Sequence, residues 1–252
     1  MGARSHLVAI SNYDRDPSVA DLPRVGDYET IDWEKLSQLR PSVIVSWYGP
    51  GKTPAGFGER ARELGIRELN LQFNRLADVY DALVVLGDAV GEKPAAQTEL
   101  KQLKDRVAAV QHRVEGQSKM RAVIVTDASG LDFAGRGNYL DDLLNAAGGE
   151  NAIRATGYVT LDREAIAALK PDVVLQLLPG ADATAVATNR EFWNGFPDLP
   201  AVKEHRVCQF TQTYMMVPGS HVADVAETFA AALHPMPVSQ PATPSSGGAR
   251  GG

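Results

Sequence analysis

Hydrophobic positions along the chain form short, mostly β-branched runs that alternate with stretches in which apolar residues recur every three or four positions. The short runs have the length and composition of buried strands, and the periodic stretches have the pattern of amphipathic helices. Strands are predicted at 7–11, 43–47, 66–71, 122–126, 173–178 and 206–210, and helices at 33–39, 57–64, 76–90, 137–147, 163–169 and 222–233. This alternation indicates βα units and mostly parallel sheets.

One further predicted helix is longer than the others and lies near the middle of the chain. Pro94 suits its first turn, and apolar positions then recur with helical spacing at Leu100, Leu103, Val107, Val110 and Val114. At about 1.5 Å per residue it would span about 30 Å, enough to cross a small domain. We therefore predict a connecting helix at 93–117 between an N-terminal lobe at 1–92 and a C-terminal lobe at 118–234. Residues 235–252, rich in proline, serine and glycine, are predicted to be a disordered tail.

A repeat at an offset of 130 residues relates the two predicted lobes. Residues 30–45 match residues 160–175, with Thr, Asp, Glu, Leu, Pro and Val at corresponding positions. In each copy an aspartate, Asp32 or Asp162, precedes the helix as an N-cap would. A glutamate, Glu34 or Glu164, then occupies the first turn, where the helix dipole favours an acidic group. Two such copies in one chain predict two similar lobes.

The loops that follow the repeated strands are the candidate ligand-binding elements. In open α/β sheets, ligands bind beyond the carboxyl ends of the strands. The loops at 47–51 and 178–181 occupy that position, one in each predicted lobe. The pattern therefore predicts a ligand held between the lobes.

The same segments resemble the cobalamin- and siderophore-binding proteins of ABC importers, cobalamin-binding members being the most similar. The resemblance extends from about residue 7 to residue 234 and is carried by 8–17, 22–28, 34–47, 143–153 and 162–174. It implies an α/β fold of two Rossmann-like lobes joined by a single long α-helix, with a ligand cleft between the lobes. The implied function is capture of a corrinoid and its delivery to the permease, without catalysis. A ferric siderophore or haem is the alternative ligand.

The resemblance also implies which residues act. Aromatic side chains suit a flat metal chelate, because they give a large contact area at a low entropy cost. Glu34 and Glu164, exposed one per lobe, would dock onto arginines of the permease, where such charge pairs set orientation and association rate. No cofactor of the protein itself, no metal site and no catalytic residue are implied. The implied ligand-contacting residues are Tyr13, Tyr28, Trp47, Tyr48, Phe133, Tyr214 and Met215.

The same resemblance implies where the protein acts and which part of the family pattern this chain contains. It implies a monomer that acts in the periplasm or is anchored outside the cytoplasmic membrane. At its N-terminus the chain departs from the family pattern, which implies that about one strand and one helix of the first lobe are missing, together with an export signal. The first residues contain no apolar stretch of the signal-peptide type. A lobe without one strand would expose a sheet edge.

Composition narrows the classes of function. The chain has 25 Lys+Arg against 31 Asp+Glu, a net charge of -6, without a basic stripe, which argues against nucleic-acid binding. The single cysteine, Cys208, excludes an internal disulfide framework and a cysteine-based zinc site. No apolar run approaches the ~18 residues of a membrane span.

An alternative of another class is a nucleotide-binding enzyme. Gly51-Lys52-Thr53 follows a predicted strand and precedes a helix, as in a phosphate-binding loop. However, Ser46 stands where the first glycine belongs, and Pro50 lacks a backbone N–H that would contact phosphate. The corresponding loop of the second copy has no Lys-Thr pair. The sequence therefore favours the binding protein.

Overall fold

Two separate β-sheets organise the chain in a computed structural model that describes residues 2–49 and 51–235. The strands are β1 (Val43–Ser46), β2 (Arg67–Asn70), β3 (Met120–Val125), β4 (Asp132–Ala134), β5 (Gly149–Asn151), β6 (Tyr158–Thr160), β7 (Val173–Leu177) and β8 (Val207–Phe210). The helices are α1 (Trp33–Leu39), α2 (Phe57–Glu63), α3 (Leu76–Ala89), α4 (Lys93–Val114), α5 (Tyr139–Ala146), α6 (Arg163–Leu169), α7 (Ala183–Asn194), α8 (Pro200–Lys203) and α9 (Val222–Leu233). Short 3₁₀ turns occupy Ala3–His6 and Pro17–Val19. The predicted tail lies, after Pro235, outside the described residues.

The N-terminal sheet consists of β1 and β2, paired in parallel with Val43 opposite Arg67. The predicted strand at 7–11 is wrong, since in that segment only Ile10 forms an isolated bridge, to Arg24. The Arg24 guanidinium explains the difference, because it donates hydrogen bonds to the carbonyl oxygens of Ser11, Asn12 and Asp14 and holds this segment as a loop.

The C-terminal sheet has six described strands in the order β6-β4-β3-β7-β8, with β5 paired to the first half of β3. Strands β3, β7 and β8 are parallel, as predicted; β5 also pairs in parallel, whereas β4 and β6 run antiparallel at one side. The sequence pattern missed β4, β5 and β6 because a three-residue strand is too short to show alternation. It also missed α7 and α8.

The long helix α4 was predicted correctly, and its 22 residues span about 33 Å. Its buried stripe includes Leu103, Val107 and Val110, which join the core between the six-stranded sheet, α5 and α9. Val79 of α3 belongs to the same core. Helix α3 therefore packs against α4 and α5 of the C-terminal core, although the predicted N-terminal lobe at 1–92 includes it.

The repeat is confirmed as a structural unit. Helices α1 and α6 each have seven residues, and the side chains of Asp32 and Asp162 accept the backbone N–H three residues on, at 2.9 and 2.8 Å. Each helix ends at a basic residue in the left-handed region, Arg40 with φ 45° and Lys170 with φ 47°. Strand β1 or β7 then follows. The two copies of the repeat thus fold into the same unit, a short helix followed by a strand of each sheet.

None of the helices in the described ranges combines the length and the apolar character that a bilayer span requires.

Candidate functional site

The first predicted site residues lie on the loop before α1. Tyr13 and Tyr28 stack with ring centroids 5.6 Å apart and an interplanar angle of 15°, and both remain more than half exposed. Asp27 organises the loop, accepting the backbone N–H groups of Glu29 and Thr30 at 3.0 Å. The hydrogen bond from the Thr30 N–H is the main reason that the pKa of Asp27 is lowered. The stacked pair therefore presents a supported aromatic surface to solvent.

Trp47 and Tyr48 follow β1 directly but face different surroundings. Trp47 is 54% exposed and meets Phe73 edge-on at 5.2 Å. Tyr48 is buried, with its ring against Phe57 at 5.6 Å. Its carbonyl oxygen accepts the side-chain amide of Gln72 at 2.7 Å, which fixes the loop beyond β1. Trp47 is thus available to a ligand, whereas Tyr48 mainly supports the loop.

Two second-lobe residues of the predicted set lie in the core. Phe133 on β4 has no exposed surface and packs against the α7 side of the C-terminal sheet, with Trp193 and Phe196. Met215 is equally inaccessible and belongs to the core that contains α4 and α9. Neither side chain offers surface to a ligand, so the prediction is corrected for both. Periodicity could not reveal this, because both residues stand in short or irregular segments.

Tyr214 is half-buried and stacks on His221 with ring centroids 4.4 Å apart. His221 Nδ1 lies 2.7 Å from Asp224 Oδ2, and Asp224 in turn accepts a hydrogen bond from Arg106 of α4, also at 2.7 Å. The predicted set omitted His221, and nothing in its sequence context distinguishes it from a surface residue at the start of a helix.

Asp16 of the N-terminal segment caps the short turn at Pro17–Val19. Its side chain accepts the backbone N–H of Ser18 at 2.8 Å, and hydrogen bonding to Ser18 is the main reason that the pKa of Asp16 is lowered. The loop around Tyr13 is therefore held by local hydrogen bonds.

The end of β7 is held by a buried polar network. Gln176 has no exposed surface; it donates to Asn189 Oδ1 at 2.6 Å and accepts the indole N–H of Trp193 at 3.1 Å. It also donates to the carbonyl oxygen of Asp127 at 3.3 Å. Satisfied buried networks of this kind fix side-chain positions. The carboxyl end of the strand, and the 178–181 loop after it, is thereby anchored to α7.

Glu34 and Glu164 are both exposed at the second position of their helices. Neither forms an ion pair within the described ranges, although Gln38 lies 3.5 Å from the Glu34 carboxylate. Two solvent-facing carboxylates at equivalent places of a repeat are available to an external cation.

The nucleotide-binding alternative does not fit the structure. Lys52 and Thr53 are exposed in a loop, and the next helix, α2, begins only at Phe57 after an N-cap at Gly56. A phosphate-binding loop needs its Lys-Thr pair where the helix begins, so that backbone N–H groups surround the phosphate. Among the described residues there is also no group of three or more His, Cys, Asp or Glu side chains that could hold a metal ion.

The sequence pattern of the periplasmic binding protein family matches residues 1–214. The chain belongs to this family. The uncharacterized ABC transporter substrate-binding lipoprotein YvrC of Bacillus subtilis is 24% identical over 242 residues, covering 93% of this chain and 75% of the relative. The vitamin B12-binding protein of Vibrio cholerae is 22% identical over 230 residues, covering 90% of this chain and 80% of the relative.

The fold agrees with that membership. The periplasmic heme-binding protein HutB of Vibrio cholerae superposes with a TM-score of 0.76 at 20% identity, covering 93% of each chain. The described fold is accordingly the two-lobed α/β architecture in which a long helix connects the lobes, here α4.

Proposed function

We propose that this protein is the substrate-binding component of an ABC importer, which captures a corrinoid between its lobes and delivers it to the permease. Membership of the periplasmic binding protein family supports binding rather than catalysis. The names of its relatives support an ABC importer and a location outside the cytoplasmic membrane. The observation that supports a flat metal chelate as the ligand is the exposure of the aromatic side chains Tyr13, Tyr28 and Trp47.

This aromatic surface suits a flat ligand with apolar faces. The rings of Tyr13 and Tyr28 are already stacked and Trp47 is held by Phe73, so little side-chain entropy is lost on binding. Tyr214, stacked on His221, would supply the contact from the second lobe. A corrin ring fits this arrangement. Haem has a similar planar core, and the vitamin B12- and heme-binding proteins above share the scaffold.

Delivery would use the two repeat glutamates. Glu34 lies in the helix before β1, and Glu164 lies in the helix before β7. Both are exposed, and neither forms an ion pair in the described part of the chain. We propose that each meets an arginine of the permease. Such contacts act at a solvated rim and therefore govern orientation and association rate more than total affinity.

Equilibrium dialysis of the folded protein against cyanocobalamin, haemin and ferric enterobactin tests the proposal. We expect saturable binding of one cyanocobalamin per chain, with quenching of the tryptophan fluorescence. The variant Trp47→Phe separates quenching at the site from absorption by the ligand, since it removes the exposed indole and keeps an aromatic ring. Preferential binding of haemin or of the siderophore would change the ligand and keep the transport role. No binding of any of the three by protein with native circular dichroism would refute the proposed role.

A further inference from the structure

His221 lies at the carboxyl edge of the C-terminal sheet. It is the N-cap residue of α9, the helix that follows β8, and its ring stacks on that of Tyr214 in the segment between β8 and α9. The loops after β7 and β8 meet at this edge, since the backbone N–H of Gly180 donates to the carbonyl oxygen of Thr211 at 2.8 Å. Ligands of open α/β sheets bind at the carboxyl ends of the strands. His221 therefore lies beside Tyr214 on the side of the sheet where a ligand is expected.

One nitrogen of the His221 ring is held by a carboxylate. Nδ1 lies 2.7 Å from Asp224 Oδ2, and Asp224 Oδ1 accepts a hydrogen bond from Arg106, also at 2.7 Å. A carboxylate that is paired with a guanidinium acts as an acceptor, so the proton of the neutral imidazole lies on Nδ1. Nε2 then keeps its lone pair, and it has no hydrogen-bond partner within residues 2–49 and 51–235.

The orientation of this ring is fixed before any ligand binds. Tyr214 stacks on it with ring centroids 4.4 Å apart and an interplanar angle of 17°. Arg106, which holds Asp224, is itself paired with Glu227 of α9 at 3.0 Å. Even so, 55% of the His221 side chain is exposed. An oriented imidazole whose one nitrogen is held by a carboxylate, and whose other nitrogen is unpaired, is the usual arrangement of a histidine that binds a metal.

The metal in question would have to arrive as a chelate. A single imidazole does not hold a free metal ion, and the described residues contain no group of three or more His, Cys, Asp or Glu side chains that could do so. In a planar macrocyclic chelate the ring already supplies the equatorial nitrogens, so the metal needs only an axial ligand. Imidazole is a common axial ligand of such metals. The chemistry of His221 therefore suits the class of ligand that the proposed function assigns to the protein.

We propose that His221 Nε2 binds the cobalt of the corrinoid in place of an axial water. The Co–O bond to water breaks, a Co–N bond to Nε2 forms, and the water leaves; the cobalt keeps its oxidation state and Nδ1 keeps its proton. Asp224 is a positioning residue in this step, because it orients the ring without touching the metal. The protein would thus prefer corrinoids with an exchangeable axial position, such as aquocobalamin, over cyanocobalamin, in which cyanide occupies it. This inference rests on the proposed function.

The contact between His221 and Asp224 also has a structural explanation, which the test must separate from ligation. Asp224 lies in the first turn of α9, so the contact stabilises the start of this helix. A contact that only stabilised the helix would leave the visible spectrum of a bound corrinoid unchanged. His112 provides a matched control, because its Nδ1 lies 3.1 Å from Glu115 with the same spacing along the chain. It stands in the last turn of α4, which leads to the amino end of β3, away from the carboxyl edge.

Titration of the full chain with aquocobalamin, followed by visible absorption, tests the proposal. We expect the absorption bands of the corrinoid to shift and the shift to saturate at one equivalent. His221→Ala should abolish the shift and raise the dissociation constant of aquocobalamin about tenfold or more, and that of cyanocobalamin by a smaller factor. Asp224→Asn should retain the shift and weaken binding of aquocobalamin about tenfold, since the imidazole loses the carboxylate that orients it. His112→Ala should change neither the spectrum nor the affinity.

Circular dichroism first shows that each variant is folded. If Asp224→Asn is unstable, the result for His221→Ala remains decisive, because that side chain is largely exposed and lies outside the core.

The contrary outcomes are distinguishable. Binding of aquocobalamin without a spectral shift, or with a shift that survives in His221→Ala, would overturn this inference and leave the proposed function intact. A spectral change that depends on His221 with haemin but not with aquocobalamin would also overturn it, because it would assign the imidazole to iron. If the unaltered protein binds neither corrinoids nor haemin, the proposed ligand class itself fails, and this inference fails with it.

Discussion

Arg75 and Asp142 are joined by two hydrogen bonds, from Nε to Oδ2 at 2.9 Å and from Nη2 to Oδ1 at 2.5 Å. Asp142, on α5, also accepts the backbone N–H of Leu76 at 2.9 Å and so satisfies a donor at the start of α3. A side chain of the C-terminal half therefore caps the helix that leads away from the N-terminal sheet. This contact, together with the shared core around Val79, fixes α3 to the helices of the C-terminal core.

The first prediction concerns this contact. Asp142→Ala should lower the free energy of unfolding by about 1.5–3 kcal/mol, because it removes charge-assisted hydrogen bonds from a carboxylate that is only 18% exposed. Arg75→Ala should cost only about 0.5–1 kcal/mol, since its side chain is 56% exposed and the bond to Leu76 remains. Urea denaturation measures both values. Equal costs would show that the bond to Leu76 contributes nothing.

The second prediction concerns acid sensitivity at Asp224. Burial alone would raise the pKa of Asp224, but hydrogen bonds from Arg106 and His221 outweigh burial and lower it. A carboxyl group with a lowered pKa stabilises the fold above its unfolded pKa of about 3.9, and this stabilisation is lost as the pH falls through the lower, folded value. Arg106→Met should therefore destabilise the protein at pH 7 by about 0.5–1.5 kcal/mol, a modest figure because Arg106 is 40% exposed.

The test of this prediction is unfolding free energy measured between pH 2 and pH 7. The difference between Arg106→Met and the unaltered protein should shrink below about pH 4, as the carboxylate is protonated. Lys101→Met is the control, because Lys101 pairs with Asp105 at the exposed surface of the same helix and should matter little at any pH. A pH-independent difference would mean that Arg106 stabilises the fold by packing alone.

The third prediction concerns the ends of the repeated helices. Arg40 and Lys170 adopt positive φ, which costs a residue with a side chain more than it costs glycine. Arg40→Gly and Lys170→Gly should each stabilise the protein by about 0.5–1 kcal/mol, because glycine adopts positive φ without strain. The gain is limited because glycine also increases the conformational entropy of the unfolded chain. Thermal unfolding followed by circular dichroism measures this. Destabilisation by either change would show that the basic side chain makes a stronger contribution than the backbone strain.

The fourth prediction concerns the ligand surface. Trp47→Ala and Tyr13→Ala should each weaken binding of the corrinoid about tenfold or more, because an aromatic contact buries a large apolar area. Tyr158→Ala is the matched control, since Tyr158 is a similarly exposed tyrosine at the edge of the C-terminal sheet, outside the proposed site. Isothermal titration with cyanocobalamin measures the three affinities. Equal effects of all three would point to a general effect on the fold.

The fifth prediction tests whether Met215 belongs to the hydrophobic core or to the ligand-binding site. Met215→Ala should cost about 2–5 kcal/mol of stability, as expected when a wholly buried side chain is truncated. The ligand affinity of the folded fraction should remain close to that of the unaltered protein. A large loss of affinity in protein that is still folded would return Met215 to the ligand-contacting set.

The long, regular elements were predictable because their patterns are local. The stripe of α4 and the Asp caps of α1 and α6 depend on residues within a few positions of each other, so the sequence places them correctly. The loop at 7–11 was not predictable, because its shape depends on the Arg24 side chain rather than on its own apolar residues.

The candidate site was predictable only in part, for a similar reason. The exposure of Tyr13 and Trp47 agrees with a role at the surface, but the burial of Phe133 and Met215 depends on packing between distant elements. The stack of Tyr214 on His221 joins an irregular segment to the residue before α9, and no local pattern connects the two. The contact between Trp33 and Phe57 likewise joins residues that are distant along the chain.

The unequal division of the core has a consequence for the lifetime of the protein. The N-terminal sheet rests on a small cluster whose fully buried members are Leu36, Ala61 and Ile66, whereas α3 and α4 share the much larger C-terminal core. Regions with few buried apolar contacts open most easily. A ligand that bridges the lobes would stabilise the closed N-terminal region by mass action. We therefore expect empty protein to be cut by proteases ahead of Leu76 and loaded protein to resist them, so that its survival outside the cytoplasm would depend on its cargo.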